Sequence, residues 1–128
     1  MIKYLVLFLL LATPALAQQR IGAAHSVKPD ATGTIAGTLA PGSGVHAQER
    51  IGTGPKGVAG LKFNDQTNLD VGPNSDVKLD KFVYDPNKGK GQIAIEATKG
   101  AFRLSTGAQG GDKQIKVKDP HGVLGIRG

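Results

Sequence analysis

The chain reads as all-β, built of short strands and tight turns, and two patterns and one absence predict this class. Leu61, Leu69 and Val77 recur every eight residues, and Phe63, Val71 and Leu79 repeat that spacing two positions further on. Apolar-x-apolar is the period-2 signature of a strand with one buried face. Between these pairs lie Asn64-Asp65-Gln66-Thr67 and Gly72-Pro73-Asn74-Ser75, residue types that tolerate or preset the dihedrals of a tight reversal. The absence is of helix: outside residues 1–17 no stretch joins a helical period to a credible cap. Nineteen glycines and seven prolines in 128 residues would suit a disordered chain, but the strict repeat beneath them argues for a fold. Strands spaced by about 8–12 residues fit a sandwich, a barrel or a short β-solenoid, and periodicity does not choose among these.

In chain order, residues 1–17 carry the pattern of a secretory signal peptide: Lys3 at the start, an apolar run over 5–12, and the small-x-small site Ala15-Leu16-Ala17. Thr13-Pro14 interrupts the run before it reaches the roughly 20 apolar residues of a membrane span. Cleavage after Ala17 is expected to deliver residues 18–128, as a single β domain, to the periplasm or the outside with no span left in the membrane. The chain has no cysteine, so neither a disulfide framework nor thiol chemistry is expected. Opening strands are expected at 21–27, 33–39 and 58–63, followed by the repeat, whose last unit lengthens to 77–84. Asp85-Pro86-Asn87-Lys88-Gly89 reads as a turn, 92–97 as the return strand, and 101–104, 115–117 and 123–126 as three further strands.

Residues 63–82 hold four aspartates, and the question is whether they are a site or the wet side of a scaffold. Asp70 and Lys78 fall between the inward positions, while Asp65, Asn74 and Asp76 lie in or beside turns, where Asx side chains satisfy local backbone donors. Opposite charges on the outer face can pair across strands. The spacing matches neither a D-x-[DN]-x-[DN]-G loop nor a G-G-x-G-x-D nonapeptide, so no metal is expected. The scaffold reading is the expectation. Net charge is +6, or +5 once Lys3 leaves with residues 1–17, but the Lys and Arg are scattered singly and no aromatics interleave with them, so nucleic acid is not an expected partner. The balance supports at most a modest attraction to anionic lipid or polysaccharide headgroups, with an anionic glycan or the cell wall as the partner it allows.

Enzyme motifs fail on context. Gly52-Thr53-Gly54-Pro55-Lys56-Gly57 is a literal G-x-G-x-x-G, but it runs into a strand where a dinucleotide site needs a helix, and it reads as a Gly-Pro hairpin turn. Gly42-Ser43-Gly44 follows Pro41 and is no nucleophile elbow, and Gly110-Gly111-Asp112-Lys113 lacks a phosphate loop's spacing. His25, His46 and His121 are far apart and show no acid at a triad-like offset. Phe63, Phe82 and Tyr84 read as core or strand residues; residues 99–104 could form a ligand lip, but the preferred reading puts Phe102 and Leu104 in the core and leaves Arg103 solvated. No catalytic, metal or cofactor residue is nominated.

Five segments together carry a family resemblance: Gln48-Glu49-Arg50-Ile51-Gly52-Thr53-Gly54, Leu61-Lys62-Phe63-Asn64-Asp65, Gly72-Pro73-Asn74-Ser75-Asp76-Val77-Lys78-Leu79-Asp80, Lys99-Gly100-Ala101-Phe102-Arg103 and Gly125-Ile126-Arg127-Gly128. In this order, from about residue 20 onward, they resemble the successive landmarks of the FecR domain, named after the ferric-citrate signalling regulator. The resemblance implies a β-rich, solenoid-like periplasmic domain, which in the regulator senses a ligand-loaded outer-membrane receptor through its signalling domain. A signal peptide stands where the regulator has its anti-sigma segment and membrane helix, so the chain is similar to stand-alone exported FecR-domain proteins. Such chains run on past Gly-Ile-Arg-Gly, so a reading frame truncated at Gly128 is compatible with the resemblance. It implies a non-enzymatic binding or sensing module with an envelope protein as partner. A structural or glycan-associated β-repeat module is the alternative.

Overall fold

The structure, a computed structural model, describes residues 19–85, 87, 90–106, 112–120 and 122–127, with the backbone alone at 112–113 and 123–127. Outside these residues lie the expected signal peptide 1–17, part of the 85–89 turn, Gly110 and Gly111, His121 and Gly128. Twelve strands and no helix form among the described residues. They are β1 (Arg20–Lys28), β2 (Ala31–Gly33), β3 (Gly37–Thr38), β4 (Gly44–His46), β5 (Arg50–Thr53), β6 (Val58–Phe63), β7 (Asn68–Val71), β8 (Asp76–Asp85), β9 (Lys90–Lys99), β10 (Phe102–Ser105), β11 (Asp112–Asp119) and β12 (Gly122–Arg127).

Two open sheets face each other. One has the order β10-β7-β6-β1-β4 and the other β12-β11-β9-β8-β5-β2-β3. The architecture is therefore a sandwich and not the closed barrel. Among the described ladders only β9 with β11 is parallel, so a solenoid of stacked parallel coils is not what forms either. The eight-residue repeat yields β6, β7 and β8, but its two turns differ. Asn64-Asp65-Gln66-Thr67 closes a hairpin between neighbours in one sheet, whereas Gly72-Pro73-Asn74-Ser75 carries the chain from the five-stranded sheet into the other. The expected strand at 33–39 splits into β2 and β3, which pair Thr32 with Thr38 and Gly33 with Gly37 around a turn, with Gly37 at φ +77°. β4 and β5 escaped the sequence pattern because each contributes one buried aliphatic, Val45 and Ile51, too few to show a period.

The core is the space between the sheets. Ile21, Val45, Ala59, Leu61, Phe63, Leu69 and Val71 face Ala31, Ile51, Val77, Leu79, Ile93, Ile95, Ala97, Ile115 and Val117, all buried. Each fully buried aliphatic side chain stabilises by about 1.5–3 kcal/mol over its exposed state. Phe63 of β6 reaches across to Phe82 of β8, with ring centroids 5.7 Å apart and planes inclined at 41°. Phe82 faces inward because β8 is bulged: the register with β9 shifts between Leu79 and Lys81, adding one residue and inverting the alternation. Val77 and Leu79 point in before the bulge, Phe82 after it, and Lys81 and Val83 are exposed. The chain at Gln48 holds the bulge, its backbone N–H donating to Leu79 O at 2.8 Å and its side-chain amide to Asp80 O.

Candidate functional site

Three crossings between the sheets meet at one corner of the sandwich: β5 to β6 through Gly54, β7 to β8 through Gly72-Pro73-Asn74-Ser75, and β9 to β10 through Gly100. A crossing strips two or three residues of ladder partners, so their backbone groups must be satisfied by one another. Thr53 and Ser75 do this. Thr53 Oγ1 donates to Gly72 O at 2.6 Å and accepts from Ser75 N at 2.9 Å, while Thr53 N donates to Ser75 O at 3.0 Å. Ser75 Oγ accepts from Ala101 N at 3.1 Å, and its hydrogen faces the carbonyls of Pro73 at 3.0 Å and Ala101 at 3.2 Å. Asn74, at φ +53°, donates from its N–H to Gly54 O at 3.0 Å, and Gly72 N donates to Ala101 O at 2.8 Å. Thr53→Val keeps the shape and deletes the hydroxyl, leaving the Ser75 N–H and Gly72 carbonyl short of a partner. The expected cost is about 1–3 kcal/mol, read from the urea unfolding midpoint at unchanged slope.

The corner presents an edge. β10 is the last strand of its sheet and pairs only with β7 among the described residues. Antiparallel ladders alternate bonded and non-bonded pairs. Because Gly72 N donates to Ala101 O, Arg103 and Ser105 fall in the bonded pairs, and the N–H and C=O of Phe102 and Leu104 face outward. Beside this edge an open depression of about 280 Å³ is lined by Val58, Val71, Gly72, Ala101 and Phe102, mostly through apolar atoms, with Asp70 and Arg103 adding polar groups. Phe102 and Leu104 are half-buried against the core and Arg103 is exposed, as the sequence suggested. A second gap, between Phe63, Leu79, Phe82 and Ile95, has no room for a water molecule.

At the opposite end a carboxylate takes the place of a ladder. Glu49 is fully buried, and its side chain accepts from Ile35 N at 2.9 Å, Ala36 N at 2.6 Å and His46 N at 2.9 Å, tying the β2–β3 turn to the β4–β5 turn. His46 Nδ1 lies 3.3 Å from the same carboxylate: the i,i+3 offset brings His46 and Glu49 together in the turn, a pairing that a search for triad-like offsets passes over. Sequence reasoning passed over Glu49 and Thr53, although the period-2 rule applied outward from buried Ile51 puts both on the inward side.

The acids of residues 63–82 divide. Asp70 is exposed, and Arg50 pairs across strands with Asp76 at 2.9 Å while also donating to Thr98 Oγ1 at 3.3 Å. Asp65 departs from the scaffold's wet side: it is buried, and its Oδ1 accepts from Thr67 N at 3.0 Å inside the hairpin turn. Asp85 and Asp119 cap the turns after β8 and β11 in the same way, through Asn87 N at 3.0 Å and Gly122 N at 2.9 Å. The G-x-G-x-x-G segment is a turn, but it joins strands of different sheets and so is not a hairpin. Among the described residues, no three His, Asp or Glu side chains are placed to hold a metal ion.

Of the residues that carried the family resemblance, Gly54, Gly72, Pro73, Asn74, Ser75, Gly100 and Phe102 assemble at the corner. Phe63 and Leu79 lie in the core, Arg50 on the outer face of the seven-stranded sheet, and Asp65 at the far end of the β6–β7 hairpin. Gly125, Ile126 and Arg127 pair through β12 with Lys116, Ile115 and Gln114, and Gly128 is outside the described residues. The family model described as FecR protein matches residues 49–128. The match begins at Glu49, so β1 to β4, which complete both sheets, precede it. No curated protein and no solved structure matches the chain significantly.

Proposed function

The chain belongs to the FecR family, and from that premise we propose that it is a non-enzymatic, exported binding or sensing module that docks an extended segment of an envelope protein along β10. The family is regulatory and envelope-associated, and no helix among the described residues is long and apolar enough to cross a membrane. The observation that carries the reading is the outward edge of β10 beside the apolar depression, both within the matched segment. Main-chain bonds to such an edge give affinity, and a pocket for alternate side chains gives selectivity. A signal peptide over residues 1–17 would place the module in the periplasm or outside.

The experiment is affinity capture after crosslinking in the host envelope. The wild-type chain should recover one envelope protein above background. Leu104→Pro removes an outward N–H without touching the β7 ladder, and Arg103→Glu reverses the charge beside the depression; both should lose that protein while unfolding in the same cooperative fashion. Recovery undiminished by either substitution rules the edge out.

A further inference from the structure

We infer that the outer face of the seven-stranded sheet is a second binding surface, fitted to an acidic, carboxylate-bearing polysaccharide lying across β8, β9 and β11. The register aligns three rows. Lys81, Ala94 and Lys116 form the middle one, with Lys78, Glu96 and Lys118 on one side and Val83, Gln92 and Gln114 on the other. The bulge at Asp80 is what turns Lys81 outward into this row. Most acids of the face are engaged already: Asp76 with Arg50 at 2.9 Å, and Asp80 with Lys78 at 3.8 Å. Lys81, Lys116 and Lys118 are exposed and form no ion pair among the described residues; Glu96 is the one carboxylate within the three rows, and Asp85, in the row beyond Val83, accepts from Asn87 N.

Lys81 and Lys116 stand two strand spacings apart, about 10 Å, with only the methyl of Ala94 between them. That is close to the length of a disaccharide repeat, so alternate acidic sugars of an extended polymer can meet both ammonium groups. The amides of Gln92 and Gln114 supply donors and acceptors for hydroxyls. An anionic bilayer fits less well, because Val83 is the one large apolar side chain exposed in these rows and there is no aromatic wedge. Single-stranded nucleic acid would need stacking platforms that these rows lack.

The test is equilibrium binding of the full chain to polygalacturonate, to neutral dextran, and to vesicles of phosphatidylglycerol and phosphatidylcholine, at low and raised salt. Binding is expected to polygalacturonate alone, weakening as salt rises. Lys81→Glu with Lys116→Glu should weaken it about tenfold, whereas Lys56→Glu with Lys62→Glu, an equal charge change at exposed sites off this face, should leave it within about twofold. The neutral pair Lys81→Gln with Lys116→Gln should give the same order with a smaller loss, which keeps the test valid if the reversed pair fails to fold. Equal losses in the two reversed pairs, preference for the vesicles, or no binding to polygalacturonate overturns the inference.

Discussion

Gly100→Ala is expected to destabilise the protein by at least about 3 kcal/mol, a loss carried by two independent effects. Gly100 holds φ +92°, a region an L side chain enters only with strain. A β-carbon there would also overlap Ser75 Oγ and come within 2.5 Å of both Cα and Cβ of Ser75, which is buried in the corner. The contact with Cα gives the prediction its distinguishing feature. Adding Ser75→Ala removes the hydroxyl but leaves the backbone where it was, so the double variant should recover none of the loss. Urea unfolding of the two single variants and the double variant measures this, and clear recovery in the double would mean that the clash is only with the hydroxyl.

Glu49→Ala is expected to cost about 3–5 kcal/mol, because it empties a fully buried site and takes the shared acceptor from the part-buried N–H groups of Ile35, Ala36 and His46. Glu49→Gln keeps the volume but has one acceptor oxygen in place of two, so one end of the tie between turns is lost and the cost should fall between wild type and alanine. Gly33 lies against this carboxylate, and a β-carbon there would overlap Glu49 Oε2. If Glu49→Ala unfolds at the wild-type urea concentration, the carboxylate is not what joins the two turns.

The strands and the corner were legible in the sequence to different degrees. Apolar pairs at period 2 located β6, β7, β8 and β9 because each carries at least two buried aliphatics on one face. Gly72-Pro73-Asn74-Ser75 announced a turn, but not that it crosses between sheets, because turn chemistry fixes local dihedrals while sheet membership depends on pairing with β5 and β9, far away in the chain. The bulge at Asp80 was invisible for the same reason: an extra residue in a strand shows only against its partner's register. Asp65 takes the local backbone donor that its place in a turn suggested, Thr67 N, but its burial was not legible, because aspartate in a turn is ordinarily solvated. The family landmarks now have a physical account in part: Ser75, Gly100 and the Gly72 carbonyl are what three crossings need in order to stack without unsatisfied backbone.

The most direct measurement of the docking edge is site-specific photocrosslinking in the host envelope, with the photoreactive side chain at Arg103 on β10 and, in a parallel chain, at Thr32 on β2 of the other sheet. A protein adduct of one size that forms from Arg103 and not from Thr32 is the expected result. Equal yields from the two positions, or none from Arg103, would contradict the assignment of β10 as the surface that receives a partner.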